Sequence, residues 1–184
     1  MKLQWKSRLH RMVVAGVLAA LLAVLSQISI PLPTGIPVTL QTFAVALCGF
    51  ALGPGLGTAA VGVYLALGAV GIPVFAGFSG GIGSFVGMTG GYLWAFLPMA
   101  FLCGLGARQK NRALALTVGF LGLVVCHLCG SFQFALVSAV SPWNAFLLAS
   151  APYLLKDAAS LVAAYLAAAA ILRSLEKARL VTLV

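Results

Sequence analysis

The sequence predicts an all-α integral membrane protein with six transmembrane helices and both termini in the cytoplasm. The first reason is composition: 62% of the 184 residues are hydrophobic and 7% are charged, whereas soluble domains are about 45–50% apolar and about 25% charged. The second reason is a succession of apolar runs, and the third is the placement of the basic residues. The high apolar content, together with a net charge of +9, also excludes a disordered, solvating protein.

The apolar runs are long enough to be read as membrane spans, since a helix needs about 20 apolar residues to cross a bilayer. We expect one membrane domain, residues 1–184, with no length left for a water-soluble domain, so any energy source has to come from partner chains. The predicted spans are approximately residues 12–30, 38–53, 57–71, 90–107, 113–138 and 144–172. The second and third spans are short and joined by a Gly- and Pro-rich tight turn, so we expect tilt or a local break there.

The basic residues decide the orientation because they fall in three clusters that flank predicted spans. The members are Lys2, Lys6, Arg8 and Arg11; Arg108, Lys110 and Arg112; and Arg173, Lys177 and Arg179. Six spans and a cytoplasmic N-terminus place all three clusters on the cytoplasmic side, as the positive-inside rule requires. We expect the first span to remain uncleaved, because no convincing small-x-small cleavage site follows it.

Residues 72–91, here called the lid loop, are rich in glycine and phenylalanine and carry no charge. Glycine permits close backbone approach and positive φ angles, whereas the phenylalanines should not face water. We therefore expect the lid loop to fold back over the bundle on the outer side, with an apolar underside and free backbone amides. A packed re-entrant connection without a ligand fits the same composition equally well.

Two ionisable residues, Lys156 and Asp157, lie near the middle of the sixth predicted span. A charge at that depth costs about 2.5–3.5 kcal/mol or more on insertion scales, so such residues usually face an interior cavity and have a partner. Tyr153 shares the helix face of Asp157, and Gln41 is a further polar group at membrane depth. A small solute with N–H donors and an anionic group would suit both charges; a structural ion pair is the alternative.

Ala15, Ala19 and Ala23 lie four residues apart on one face of the first predicted span. Small residues at this spacing allow another helix to approach closely. From spacing alone, packing within the same bundle is favoured over docking of another protein.

Cys126 and Cys129 flank His127 at a spacing that also occurs in zinc and thiol redox sites. No second Cys/His pair completes four ligands, so buried cysteines acting as small hydrophobic residues are favoured and no metal site is predicted. Neither acidic residue is spaced to orient a histidine beside a serine, and we therefore expect no enzyme.

Several motifs follow one another along the chain. They are Ile30-Pro-Leu-Pro33, Pro37-Val-Thr-Leu-Gln-Thr42, Leu52-Gly-Pro-Gly-Leu-Gly57, Gly71-Ile-Pro-Val-Phe-Ala76, Gly87-Met-Thr-Gly-Gly-Tyr-Leu93 and Tyr153-Leu-Leu-Lys-Asp157. In this order they resemble BioY proteins, the biotin-binding S components of energy-coupling factor (ECF) transporters. The resemblance covers nearly the whole chain and implies the S-component fold, with six helices, both termini inside and an outward-facing pocket beneath outer loops.

The resemblance also implies a set of biotin-binding residues, among which the Lys-Asp pair is a family signature. Asp157 is expected to accept the ureido N–H groups of biotin, and Lys156 to contact a polar or anionic oxygen. The other implied residues are Gln41, Tyr92, Tyr153, Phe75, Phe78 and Ser79, with the two phenylalanines as walls around the ring. The lid loop departs from several relatives because it lacks a charged or amide side chain that could meet the biotin carboxylate.

Partners follow from the same resemblance. S components dock onto a transmembrane T component that is bound to two ATPase subunits, so ATP would be used by partner subunits and this chain would need no cofactor. In that light Ala15, Ala19 and Ala23 become a docking face. The implied location is the prokaryotic plasma membrane, with multiple passes and no nucleic-acid partner.

Other functions remain open at this point. The chain could be an S component for a different vitamin, or a carrier that works without ATPases. It could be a membrane thiol oxidoreductase that uses Cys126 and Cys129. It could also be a packing subunit without a ligand, which would leave Lys156 and Asp157 unexplained.

Overall fold

The apolar runs fold into long helices with short connections in the computed structural model, which describes residues 3–5, 7–32 and 35–183. The elements are β1 (Leu3–Trp5), α1 (Arg8–Ser26), β2 (Ser29–Ile30), β3 (Val38–Thr39), α2 (Gln41–Ala69), α3 (Gly83–Val86), α4 (Gly90–Ala107), α5 (Arg112–Ser138), α6 (Pro142–Ala149), α7 (Leu154–Lys177) and β4 (Val181–Leu183). Short 3₁₀ turns at Ala76–Phe78 and Ala151–Tyr153 lie in the connections before α3 and α7.

The element α2 is a helical hairpin, made of two helical halves that meet at a sharp reversal at Gly53. This residue has φ +78° and ψ 177°, a left-handed φ that glycine adopts without steric cost. Gln41 Nε2 donates to the Tyr64 hydroxyl at 2.8 Å, although these residues would be about 35 Å apart along a continuous helix. The two halves of α2 therefore lie side by side and antiparallel, and the helix resumes directly at Pro54 rather than after the predicted turn.

The hairpin accounts for the number of passes through the bundle. Among the described residues, the stretches long and apolar enough to cross a membrane are Arg8–Ser26, Gln41–Ala69, Gly90–Ala107, Arg112–Ser138 and Pro142–Lys177. Because the second of these five doubles back, the chain makes six passes. The predicted all-α membrane fold is thereby confirmed.

The last pass differs from a single helix with Asp157 at its middle. The helix α6 ends at Ala149, a 3₁₀ turn follows, and α7 begins at Leu154. Pro152 lies in that turn, where it removes a backbone donor and prevents a continuous helix. Asp157 therefore lies in the first turn of α7, where the helix dipole favours a negative charge.

Strand pairs mark the two ends of the bundle. β1 pairs antiparallel with β4, which brings both described ends of the chain together. β2 pairs antiparallel with β3 between α1 and α2, at the opposite end. Both described ends of the chain therefore lie on the same side of the bundle, and the cytoplasmic assignment of that side stays a prediction.

Substituting Gly57 with alanine should destabilise the hairpin. A Cβ on Gly57 would lie 2.5 Å from the Cys48 carbonyl oxygen, and such overpacking costs about 1–3 kcal/mol. We expect Gly57→Ala to lower the melting temperature of the purified protein in detergent. The matched control is Gly62→Ala, whose added Cβ meets Leu97 at an ordinary 3.8 Å. Equal melting temperatures for the two variants would contradict the close packing of the hairpin.

Candidate functional site

A cavity of about 280 Å³ lies beneath the lid loop, at the end of the bundle opposite the termini. Its volume is close to the lower end of the range for small-molecule pockets, roughly 300–1,000 Å³. The lining residues are Gly35, Ile36, Pro37, Thr39, Gln41, Thr42, Phe75, Ala76, Ser79, Ser84, Thr89, Tyr92, Leu93, Phe96, His127, Ala149, Tyr153, Lys156 and Asp157. The lining combines apolar side chains with polar groups from several elements, which suits a small amphipathic solute.

The polar side of the cavity is centred on the carboxylate of Asp157, which is 5% exposed. Its Oδ1 contacts the ammonium group of Lys156, and its Oδ2 lies 3.3 Å from His127 Nε2. Lys156 also donates to the Thr39 carbonyl oxygen at 2.9 Å. The hydroxyl of Thr42 faces the same carboxylate. The charge is thus compensated by groups from α2, α5 and α7, as a charge buried in an apolar bundle requires.

Behind the carboxylate, His127 belongs to a buried cluster of hydroxyl groups. Its Nδ1 lies 3.0 Å from Ser150 Oγ, which in turn is 2.6 Å from Ser131 Oγ. Tyr92 donates its hydroxyl to the Ala149 carbonyl oxygen at 2.5 Å and lies 3.0 Å from Ser150 Oγ. The expectation that neither acid meets a histidine is therefore wrong, because the helices α5 and α7 bring together residues distant in sequence.

This serine–histidine–aspartate contact is not a nucleophile site for a ligand in the cavity. Ser150 is fully buried, at 0% exposure, and it does not line the cavity. Its hydroxyl is instead surrounded by His127, Ser131 and Tyr92. The cluster is therefore a support behind the cavity wall.

A second polar wall comes from the hairpin α2. Thr39 donates its hydroxyl to Gln41 Oε1 at 3.2 Å, and Gln41 donates its amide to the Tyr64 hydroxyl. Ser26 of α1 donates to the same tyrosine oxygen at 3.0 Å. The Gln41 side chain is therefore fixed at the cavity by a chain of hydrogen bonds that reaches α1.

The lid loop is held over the cavity by two glutamines from different helices. Gln27, which caps α1, donates to the Val74 carbonyl oxygen and accepts from the Phe78 N–H, each at 3.0 Å. Gln133 of α5 donates to the carbonyl oxygens of Phe85 and Gly87, each at 2.8 Å. These contacts attach both ends of the loop to the bundle.

Most of the sequence-predicted ligand residues lie around this cavity. Those that line it are Asp157, Lys156, Gln41, Tyr92, Tyr153, Phe75 and Ser79. Tyr153 donates its hydroxyl to the Ile36 carbonyl oxygen at 2.6 Å, and so ties the start of α7 to the connection between α1 and α2. Their placement is compatible with the predicted roles, which stay predictions as to any particular ligand.

Phe78 does not line the cavity, in contrast to its predicted role as a wall. It has φ +57° and is 72% exposed, because the backbone turns the side chain outward where the N–H meets Gln27. Phe96, buried at 4% exposure, lines the cavity instead. It follows Gly87-Met-Thr-Gly-Gly-Tyr-Leu93 closely in sequence, but nothing in the apolar pattern distinguishes it from other core residues.

The predicted docking alanines are largely packed inside the protein. Ala15 and Ala19 are buried against the core, and Ala23 is partly buried. The helix α1 packs mainly against α2, and in this conformation the buried Ala15 and Ala19 offer no free surface to another protein. The exposed small residues of the same helix are Gly16 and Ala20.

The sequence prediction missed His127, Thr39 and Thr42 as cavity residues. The two threonines belong to the quoted motif that ends at Thr42, and this was the available signal. The spacing of Cys126 and Cys129 around His127 is typical of metal or redox sites and gives no signal for a role at the cavity. The first of these cysteines is buried, the second is exposed, and both are free thiols outside the cavity.

Removing the Gln27 amide should loosen the lid loop. Two hydrogen bonds of about 0.5–1.5 kcal/mol each hold residues 74–78, so Gln27→Ala should lower the local opening free energy of that segment by about 1–3 kcal/mol. Hydrogen–deuterium exchange of lid-loop peptides measures this as faster exchange. The control is Gln109→Ala at the other end of the bundle, which should leave the lid loop unchanged. Equal lid exchange in both variants would contradict an anchoring role for Gln27.

Known proteins resemble this chain in both sequence and fold. Residues 1–177 match the BioY family. A probable biotin transporter BioY from Pyrococcus horikoshii is 44% identical over 138 residues, which cover 75% of this chain and 81% of that protein. The biotin transporter BioY of Thermotoga maritima is 45% identical over 125 residues, covering 67% of this chain and 73% of that protein.

A solved structure agrees with these relatives. It is the crystal structure of the S-component for biotin from an ECF-type ABC transporter, with a TM-score of 0.80, 27% identity and 92% of each chain covered. The matched proteins are membrane transport components and not enzymes, which removes the thiol oxidoreductase alternative. On its sequence and its fold together, this integral membrane protein belongs to the BioY family.

Proposed function

We propose that the chain is the high-affinity biotin-binding S component of an ECF-type vitamin uptake transporter. It captures biotin from outside the cell and delivers it inward with an ATPase-driven partner module. The observation that carries the proposal is the small cavity with the buried Asp157–Lys156 pair on its polar side, in a chain whose relatives are named biotin transporters.

The chemistry of biotin matches the distribution of groups around the cavity. Its ureido ring has two N–H donors beside one carbonyl acceptor, and its thioether ring is apolar. Asp157 accepts one ureido N–H group, and Lys156 donates to a biotin oxygen, most simply the adjacent ureido carbonyl. Phe75 and Phe96 form apolar walls for the rings. Charge-assisted hydrogen bonds of this kind are about twice as strong as neutral ones.

The carboxylate of biotin then points toward the lid loop. Ser79, Ser84 and Thr89 line the cavity on that side, and their hydroxyl groups and nearby backbone N–H groups are the available donors. No lid-loop side chain carries a charge. The carboxylate is therefore held by neutral donors, and its anchoring depends on how closely the lid loop packs.

We also propose that the exposed side of α1 docks onto the partner module. The helix packs mainly against α2, and its other side exposes Met12, Gly16, Ala20 and Val24. Small residues at a spacing of four allow close approach of another helix. A T component with two ATPase subunits would supply ATP hydrolysis, and the end of the bundle with both termini would face the cytoplasm.

Replacing Asp157 with asparagine should weaken biotin binding about tenfold or more, because a hydrogen bond to a charged group contributes about 1.5–3 kcal/mol. The measurement is titration of the purified, detergent-solubilised protein with biotin, with desthiobiotin and riboflavin as competitors. The matched control is Glu176→Gln, the other acidic residue, which is exposed near the end of α7.

Two results would count against this assignment. Unchanged affinity in folded Asp157→Asn would remove Asp157 from the ligand. Absence of biotin binding by the folded wild-type protein would remove biotin itself, and competition with other vitamins would then identify the substrate of the same cavity.

Replacing Ala20 with tryptophan should abolish biotin uptake by cells but leave biotin binding by the purified protein intact. A bulky side chain on the exposed side of α1 blocks close helix approach without entering the bundle. The matched control is Leu128→Trp, at an exposed position on α5, which should retain uptake. Uptake at the wild-type level in the Ala20 variant would contradict docking through this side of α1.

A further inference from the structure

His127 contacts the buried carboxylate of Asp157 at the cavity. The neighbours of the imidazole ring restrict which ring nitrogen carries the proton. The residue is 4% exposed and is supplied by α5. Its Nε2 lies 3.3 Å from Asp157 Oδ2, and its Nδ1 lies 3.0 Å from Ser150 Oγ. The Tyr92 ring lies edge-on to the imidazole, with centroids 6.0 Å apart and planes at 89°. Each ring nitrogen thus has one polar partner.

We propose that His127 is a positioning residue that orients the Asp157 carboxylate toward the ligand, with Ser150 holding the imidazole as the Nε2–H tautomer. The inference rests on the proposed function in one respect, that the ligand brings an N–H donor to Asp157. It adds a residue from another helix, and a buried serine outside the cavity, to the determinants of binding.

The tautomer follows from the donor and acceptor inventory. An ionised carboxylate only accepts hydrogen bonds, so the ring nitrogen that faces Asp157 carries a proton. In a neutral imidazole the other nitrogen is then an acceptor and needs a donor, which is the Ser150 hydroxyl. In this arrangement Ser150 gives its one proton to Nδ1 rather than to the His127 carbonyl oxygen, which lies 3.3 Å away. Ser131, whose Oγ lies 2.6 Å from Ser150 Oγ, is then the donor to Ser150. All three donors therefore point along one chain, from Ser131 through Ser150 and His127 to Asp157.

This series of hydrogen bonds determines which acceptor positions of Asp157 remain for a ligand. A carboxylate has about four acceptor positions on two oxygens. Lys156 occupies one at Oδ1 and His127 one at Oδ2, so each oxygen retains a position. The Thr42 hydroxyl also faces the carboxylate and takes a third position. The position that remains matches one N–H donor of the ligand, because the two N–H bonds of a five-membered ureido ring diverge on either side of its carbonyl and cannot both reach one carboxylate.

Affinity measurements on His127 variants test the positioning role. His127→Leu removes the donor, and we expect biotin affinity to fall about tenfold to a hundredfold. His127→Gln retains an amide N–H near the position of Nε2 and should recover most of that loss. The control is His10→Leu at the exposed start of α1. A role in packing alone would instead leave both His127 variants equally impaired.

A spectroscopic measurement tests the tautomer without any ligand. The chain has two histidines, so ¹⁵N-histidine labelling of the His10→Gln variant leaves the signals of His127 alone. We expect the nitrogen shifts of a neutral Nε2–H imidazole. Ser150→Ala should shift the ring toward a mixture of tautomers and weaken biotin binding, whereas Ser131→Ala, which leaves the Ser150 donor in place, should have little effect.

The outcomes separate the two proposals. Wild-type affinity within about twofold in folded His127→Leu, equal losses in the Leu and Gln variants, or an Nδ1–H ring in the wild-type chain would each overturn the positioning role. If His127→Leu does not fold, the biotin affinity of Ser150→Ala and the nitrogen shifts of His127 test the positioning role instead. If the wild-type protein does not bind biotin, the proposed function fails, and the nitrogen shifts still decide the tautomer.

Discussion

The rest of the site depends on the compensation of one buried negative charge, that of Asp157, inside an apolar bundle. An unpaired charge in such surroundings is too costly to persist. The compensation comes from Lys156 beside it, from His127 on α5 and from the start of α7, where the helix dipole favours an anion. Because His127 lies on another helix, its share of the compensation forms only when α5 packs beside α7.

The backbone around the cavity helps to bring polar groups to the buried charge and to the opposite wall. The break before α7 places Asp157 at a helix start, and the reversal of α2 at Gly53 places Gln41 beside Tyr64 on the opposite wall. The lid loop lacks charged groups of its own and is attached through Gln27 and Gln133 to α1 and α5. The bundle therefore supplies polar anchors, and the lid loop supplies mainly backbone and small side chains.

The exposed side of α1, proposed above as the docking face, would connect these features to transport. Gln27 at the end of α1 holds the lid loop, while Gly16 and Ala20 lie on the outer side of the same helix. With docking at this side, as proposed, one helix would contact both the lid loop and the partner and would link docking to release of the solute. The polar chain from Ser26 through Tyr64 to Gln41 gives α1 a second connection to the cavity.

Composition and charge placement by themselves determined the membrane class and the six passes and singled out Lys156 and Asp157 as candidate site residues, because hydropathy and the cost of a buried charge act locally along the chain. Tertiary structure decided which groups meet. It turned Phe78 outward, buried Ala15 and Ala19 against α2, and brought His127 to Asp157 across two helices. One-dimensional patterns show that a helix has a small or polar face, but the packing of helices determines what that face contacts.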